Sequence, residues 1–166
     1  MRRFKRIFVN LAVISLVFGA YGLFLFYNQG KMETDQAIIY LIKATPTDFQ
    51  LVPVERQIEG AQGPAQAVQA LLKGPLTHEK LSPSVPKSAR MLDLSVHDSL
   101  ATVNFSPEIV SDFPGGSLME AYLVEAIVNT LTEFPTIERV QILVDGGIVE
   151  SIGGHVLILQ PLQRRD

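Results

Sequence analysis

The sequence predicts an α+β domain of two layers, a mostly antiparallel sheet packed by two helices, preceded by one N-terminal transmembrane helix. Three observations lead to this prediction. The chain of 166 residues opens with a long apolar run. Several later segments alternate apolar and polar residues, which is typical of half-buried strands. Two other segments repeat apolar residues at helical spacing, and helices placed between strands favour an α+β arrangement.

The apolar run is long enough to cross a membrane. Residues 7–27 form an uncharged stretch of 21 residues. As a helix they span about 31 Å, close to the roughly 30 Å core of a bilayer. A cleaved signal peptide is the alternative, because Ala20-Tyr21-Gly22 resembles a cleavage site. We favour a retained anchor because residues 23–26 continue the apolar run past that site.

Charges before the run indicate its orientation. Arg2, Arg3, Lys5 and Arg6 precede it. The positive-inside rule therefore places the N-terminus in the cytoplasm and the rest outside, on the periplasmic or cell-wall side of the cell membrane. The predicted organisation is a cytoplasmic basic tail (1–6), an anchor (7–27), a linker (28–36), one domain (37–162) and a short tail (163–166).

Composition excludes several kinds of function. The chain has no cysteine, which excludes disulfides, a cysteine nucleophile, a zinc–thiolate site and a lipidated N-terminal cysteine. Without the four leading cations, ten basic residues face seventeen acidic ones, a formal charge of -7. We expect no nucleic-acid partner, because nucleic-acid binders usually carry a basic patch.

The first half of the domain reads as two strands and a helix. Residues 37–43 and 49–57 are the strands, and Pro53 places the second at an edge or a bulge. Pro64 opens a helix that Gly74-Pro75 ends, because glycine and proline both disfavour its continuation. Apolar residues of this helix fall on one stripe.

The second half reads as a hairpin, a long helix and further strands. Residues 90–96 and 100–105 alternate and predict an antiparallel hairpin. Residues 117–134 predict the main helix, with Ser117 as its N-cap and Glu120 completing a capping box. Ser117 and Glu120 are the two polar residues on the otherwise apolar face of this helix. Residues 138–144 predict a strand. A hairpin turn at Asp145-Gly146 leads to a returning strand (147–152), and residues 156–159 predict a last strand.

No catalytic constellation is visible. His78, His97 and His155 lie in separate turns without metal-ligand spacing and read as surface histidines. No GxSxG elbow occurs. Glu120 and Glu125 are five residues apart and point to different helix faces, so they do not form an acid–base pair. We therefore predict no enzyme activity, no catalytic residues, no metal and no cofactor.

One surface suggests a contact with a partner. Leu118, Met119 and Tyr122 lie on the polar side of the main helix, where exposed apolar residues mark interaction sites. The alternative is that the neighbouring loop covers them. We predict that this face contacts an envelope protein or another copy of the chain.

The later segments resemble a known family. Residues 67–75 resemble the ALLxGP stretch of the GerM-type sporulation and spore germination domain, also called the GerMN domain. Residues 101–106, 126–135, 140–146 and 153–155 are similar to its later blocks, so the resemblance covers about residues 38–162. It implies an extracytoplasmic, non-catalytic module associated with envelope assembly around sporulation and germination. The chain differs from the namesake in having one copy and no cysteine to lipidate.

Two functions are compatible with these observations. The leading one is a scaffold or interaction domain of the cell envelope, held at the membrane by its N-terminal helix and bound to an envelope protein or to a second copy. The alternative is a module that binds cell-wall glycan or peptide. That module needs exposed aromatics along a groove, and the predicted domain has no tryptophan and only two tyrosines, Tyr40 and Tyr122.

Overall fold

The computed structural model describes residues 34–59 and 63–165. The chain divides into two units, and these residues belong to the second, which begins at Thr34. The predicted basic tail, anchor and linker up to residue 33 lie outside the described residues. Among the helices that are described, none is long and apolar enough to cross a membrane.

The first sheet is a long antiparallel hairpin. Strands β1 (Thr34–Ala44) and β2 (Phe49–Glu59) pair along their whole length. β1 thus begins ahead of its predicted start at residue 37. Pro53, opposite Tyr40, lies on a strand paired on one side only, as its missing N–H requires. The other side of β1 contacts the chain at Ser82, which exchanges backbone hydrogen bonds of 2.7 and 3.1 Å with Ile42.

The second sheet has three strands, β3 (Met91–His97), β4 (Leu100–Phe105) and β5 (Arg139–Val144). The predicted hairpin of β3 and β4 is confirmed. β5, however, pairs with β4 in parallel. The α+β class is therefore correct, but the single mostly antiparallel sheet is replaced by two sheets, one with a parallel pair. The reason is the connection, because a helical crossover returns the chain to the same end of the sheet.

The two strands predicted after β5 are wrong. Asp145 and Gly146 do turn the chain, with positive φ angles of 49° and 77°. Beyond the turn, only Gly147 pairs with Val144, and the chain then runs irregularly until Leu162 pairs with Val140. The backbone N–H groups of Ile152, Gly153 and His155 in this segment bond instead to the side chain of Glu120 in the main helix.

The described residues of the domain also form three helices: α1 (Gly63–Lys73), the short α2 (Glu108–Ser111) and α3 (Ser117–Thr132). The two predicted helices are α1 and α3. Both pack against β1, and α3 also packs against β5. The shared core consists of fully buried aliphatic and aromatic side chains, among them Ile39, Leu41, Leu71, Val103, Phe105, Leu123, Ile127, Leu131 and Ile142.

The C-terminal segment is fastened to the start of the domain. The Tyr40 hydroxyl donates a hydrogen bond of 2.6 Å to the Glu133 carboxylate. Arg164 donates to both, to the Tyr40 oxygen at 2.6 Å and to Glu133 at 2.6 Å. Arg164, in the predicted tail, thus joins β1 and the end of α3.

Candidate functional site

An apolar groove of about 450 Å³ opens at one end of the domain. Its walls come from the end of β1, the loop before β3, the residues after α2 and the first turn of α3. The lining residues are Ile42, Pro83, Ser84, Val85, Pro86, Lys87, Ser88, Asp112, Phe113, Pro114 and Met119. We call this surface the apolar groove.

The loop wall of the groove is held by local chemistry. Pro83 and Pro86 restrict its backbone, because proline fixes φ. The buried Ser84 hydroxyl donates a hydrogen bond of 2.8 Å to the Tyr40 carbonyl, which ties the loop to β1. At the rim, Ser88 donates to Asp112 at 2.5 Å. Hydrogen bonds from Ser88 and Ser111 lower the pKa of Asp112, so this rim position carries a negative charge at neutral pH.

A buried carboxylate lies directly after Met119. The Glu120 side chain is fully buried, with an exposed fraction of 0 %. Its Oε1 accepts hydrogen bonds from the backbone N–H groups of Ile152 at 3.0 Å and Gly153 at 2.7 Å. Its Oε2 accepts one from the His155 N–H at 2.8 Å and lies 3.0 Å from the His155 Nδ1. One side chain of α3 therefore holds the irregular segment that follows β5.

The electrostatics of Glu120 agree with this role. Burial alone would raise the pKa of its carboxyl. Hydrogen bonds from the N–H groups of Gly153, His155 and Val156 and from the His155 ring outweigh burial and lower that pKa. Charge-assisted hydrogen bonds of this kind are the strong ones in proteins. Glu120 is thus an ionised group whose charge is satisfied by fixed dipoles.

Gly153 connects this carboxylate to the groove. A Cβ atom at Gly153 would lie 2.5 Å from Cε1 of Phe113 and 3.1 Å from Oε2 of Glu120. The Phe113 ring, which lines the groove, thus rests directly on the backbone that Glu120 holds. Because only glycine leaves room for the ring, the position of the aromatic wall depends on both residues.

The three residues of the predicted partner surface lie in different environments. Leu118 is exposed, with an accessible fraction of 44 %. Met119 is partly buried and lines the groove. Tyr122 is also partly buried, and its hydroxyl donates a hydrogen bond of 2.6 Å to the Phe49 carbonyl of β2. Leu118 and Met119 thus remain candidates for a contact, whereas the hydroxyl of Tyr122 is engaged within the domain.

The predicted capping box is wrong, and its failure identifies the residue that the sequence reading missed. Gly116 is the N-cap, without a side-chain capping bond, and Ser117 is the first residue of α3. The side chain of Glu120 instead reaches the segment around Gly153. The signal was its place on the otherwise apolar arc of the helix, since a charge there must be paired when it is buried. Phe113 and the 83–88 loop carried no such signal.

The histidines do not form a metal site. His155 contacts Glu120, whereas His78 is exposed in a turn and His97 is exposed at the end of β3. In residues 34–59 and 63–165, no group of three or more His, Cys, Asp or Glu side chains is placed to hold a metal ion.

Comparison with known proteins identifies the family. The family model Germane, described as sporulation and spore germination, matches residues 35–150. The chain belongs to the Germane family. The predicted resemblance to the GerM-type domain is thereby confirmed. A search among curated proteins gives no match for this Germane chain.

Solved structures show the same fold. A putative lipoprotein from Clostridium perfringens shares 26 % identity with a TM-score of 0.58, over 81 % of the Germane chain and 91 % of its own. The tandem GerMN domains of the sporulation protein GerM from Bacillus subtilis share 21 % identity with a TM-score of 0.66. The match covers 80 % of the Germane chain and 46 % of the GerM chain. The first of these domains alone shares 18 % identity with a TM-score of 0.65, over 80 % of the Germane chain and 100 % of its own length.

Proposed function

We propose that this Germane domain is a non-catalytic interaction module of the cell envelope, working outside the cytoplasm as a scaffold in sporulation, spore germination or envelope assembly. The observation that carries the proposal is the apolar groove, which Met119 joins along α3 to the exposed Leu118. Apolar surface left open beside a structured groove is typical of a site that a partner covers. The partner that fits is a protein with an apolar segment.

The chemistry of Glu120 supports a role without catalysis. A general acid or base needs a carboxyl that can exchange a proton with a substrate. Glu120 is the fully buried carboxylate of the described domain, and backbone N–H groups and His155 occupy both of its oxygens. Its lowered pKa keeps it ionised at neutral pH. We therefore assign it to holding the fold.

The place of the groove within the domain supports a protein partner over lipid. Thr34 begins β1, and Ile42, which lines the groove, lies eight residues further along the strand. At about 3.3 Å per residue this is roughly 26 Å from the point where the predicted linker enters the domain. The groove thus lies at the other end of β1 from that attachment point.

The cellular setting is proposed from three sources. The sequence predicts a membrane anchor with the domain outside. The family is described by sporulation and spore germination, and one relative is the sporulation protein GerM. Another relative, from Clostridium perfringens, is described as a lipoprotein, which suggests attachment at a membrane surface. All three favour an envelope location.

Site-specific photocrosslinking in intact cells tests the proposal. A photoreactive residue replaces Leu118 in the full chain, and a matched chain carries it at Leu92, an equally exposed leucine on β3 with an accessible fraction of 49 %. We expect a defined protein adduct from position 118 and not from position 92, lost when Met119 is changed to aspartate. No adduct from position 118, or equal adducts from both positions, would overturn the proposal.

Cell-wall binding is the second candidate, and one observation favours it. A polar groove of about 330 Å³ between β2 and α1 is lined by Gln57, Gln66, Gln69 and Lys73, together with Ile58 and Ala70. Amide side chains both donate and accept hydrogen bonds, as sugar hydroxyls require. No aromatic residue is among the described residues that line this groove. Sedimentation of the chain with purified cell wall, lost on changing Gln66 and Gln69 to alanine, would favour this candidate instead.

A further inference from the structure

We infer that the partner in the apolar groove is a second copy of this chain. Each copy inserts the segment after its β5 strand into the groove of the other. The inference rests on the proposed function and names its partner. Two observations lead to it: an exposed apolar side chain, Ile148, in the segment after β5, and the opposite charges of Glu150 in that segment and Lys87 on the groove rim. The groove and the segment after β5 lie at the same end of the β3–β4–β5 sheet.

The projecting element is the segment after the turn at Asp145-Gly146. Ile148 is 59 % exposed and, with Leu157, is one of the two most exposed large apolar side chains of the described residues. Val149 packs against the core, and Ile148 and Glu150 on either side of it are exposed. The backbone is fixed, because the Glu150 carbonyl accepts a hydrogen bond of 2.9 Å from Ile158 N–H. The chain therefore presents one apolar and one acidic side chain from an ordered segment.

The groove offers the complementary chemistry. Its interior is apolar, and its rim carries Lys87 and Asp112. The Asp112 carboxylate already accepts hydrogen bonds from Ser88 and Ser111. Lys87 is an exposed cation for which no salt bridge is found within the described residues, so it is the rim charge left to pair with an acidic partner. A copy that places Ile148 in the groove would bring Glu150 towards Lys87. Because the part of the chain that follows the predicted anchor is acidic, copies repel each other over most orientations, and a contact centred on this lysine is favoured.

The topology makes the contact reciprocal. β4 and β5 run in parallel with Phe105 opposite Val144, so the chain leaves both strands at one end of the sheet. From β4 it continues to Phe113 in the groove, and from β5 to Ile148. Since groove and turn share one end, two copies related by a two-fold axis can each receive the turn of the other. The predicted assembly is a closed dimer.

The absence of cysteine from the sequence makes crosslinking a clean test. Two differently tagged full chains, one with Met119→Cys and one with Ile148→Cys, are expressed together and treated with a short bis-maleimide in the membranes of the expressing cells. We expect a mixed dimer. A chain carrying both cysteines should stop at the dimer, whereas a ladder of higher species would overturn the reciprocal arrangement.

Charge reversal tests the same contact independently. Lys87→Glu alone and Glu150→Lys alone should each lower the crosslinking yield about threefold or more. The chain with both reversals should recover it. Lys80→Glu and Glu138→Lys, at exposed positions outside the groove and the turn, serve as controls and should leave the yield unchanged. Thermal melting confirms that each variant is folded.

The outcomes separate this inference from the proposed function. Failure of the double reversal to restore the yield, or the absence of a mixed dimer, overturns the second copy as partner. If position 118 still captures a different envelope protein, the proposed function stands without it. If position 118 captures no protein, both the second-copy inference and the proposed function fail.

Discussion

The carboxylate of Glu120 accepts a hydrogen bond of 2.7 Å from the backbone N–H of Gly153. This contact joins the first turn of α3 to a segment more than thirty residues later that has almost no secondary structure of its own. Gly153 in turn supports Phe113 in the groove wall. A single carboxylate thus organises the irregular segment after β5, which sequence patterns describe least well.

Glu120→Gln should destabilise the domain by about 2–3 kcal/mol, because the amide removes the charge and turns an NH₂ group towards backbone donors. Urea unfolding measures the loss. Glu125→Gln, on the same helix but half-buried, is the control and should change the free energy of unfolding by less than about 0.5 kcal/mol. Similar losses in both variants would contradict the role given to Glu120.

Stability should depend on pH through the same residue. The folded domain holds the pKa of Glu120 below the ordinary value of 4.5. As the pH is lowered, the unfolded chain therefore takes up a proton before the folded domain does. The free energy of unfolding decreases as a result. The contribution of Glu120 is complete above about pH 4.5 and is lost as the pH falls through the folded value.

The comparison with Glu120→Gln isolates this effect from other carboxylates whose pKa is also lowered, such as Glu79 and Asp112. Unfolding free energies of the two proteins should converge as the pH is lowered from about 6 to 3. A difference that stays constant over this range would show that folding does not lower the pKa of Glu120.

Gly153→Ala should displace the Phe113 ring, since the added Cβ would lie 2.5 Å from its Cε1. We expect a loss of about 1–3 kcal/mol in stability, as for other overpacked positions. The crosslinking yield from position 118 should fall as well. Gly147→Ala is the matched control, because its Cβ would meet only the Val144 carbonyl, at an ordinary 3.5 Å. Equal effects of the two changes would disprove the link between Gly153 and the groove.

A pair of threonines on α3 offers a test of buried polarity. Thr130 is fully buried, and its hydroxyl has no hydrogen-bond partner among the residues that the structure describes. Thr132 is half-buried and donates to the Val128 carbonyl at 2.9 Å. Thr130→Val should be neutral or raise stability by up to about 1 kcal/mol, while Thr132→Val should lower it slightly. Differential scanning calorimetry gives both values, and a clear destabilisation by Thr130→Val would indicate a missed partner for its hydroxyl.

The elements with clear periodicity were predictable. The β3–β4 hairpin, α1 and α3 follow from alternation, helical spacing and the flanking glycines and prolines. Their local signals agree with the tertiary packing, since the apolar arc of α3 is the face that packs on β1 and β5. The family was predictable as well, because several short blocks occur together in the right order.

The remainder depended on contacts between distant residues. Residues 147–152 alternate like a strand, but the N–H of Ile152 bonds Glu120 instead of a neighbouring strand. The groove is formed by loops whose sequence shows turns and prolines but not what they face. Tyr122 looked like an exposed contact residue, and only the structure shows its bond to Phe49. Side chains that bind backbone far along the chain leave no periodic signal.

The paired length of β1 and β2 has a mechanical consequence. The two strands are in register from Thr34 opposite Glu59 to Ala44 opposite Phe49. Tension that enters at Thr34 runs along the strand axis, perpendicular to the hydrogen bonds of the antiparallel pair. It therefore loads those bonds together in shear instead of breaking them one after another. In the proposed arrangement, with a membrane tether before Thr34 and a partner in the groove near Ile42, a pull between the two is carried along β1.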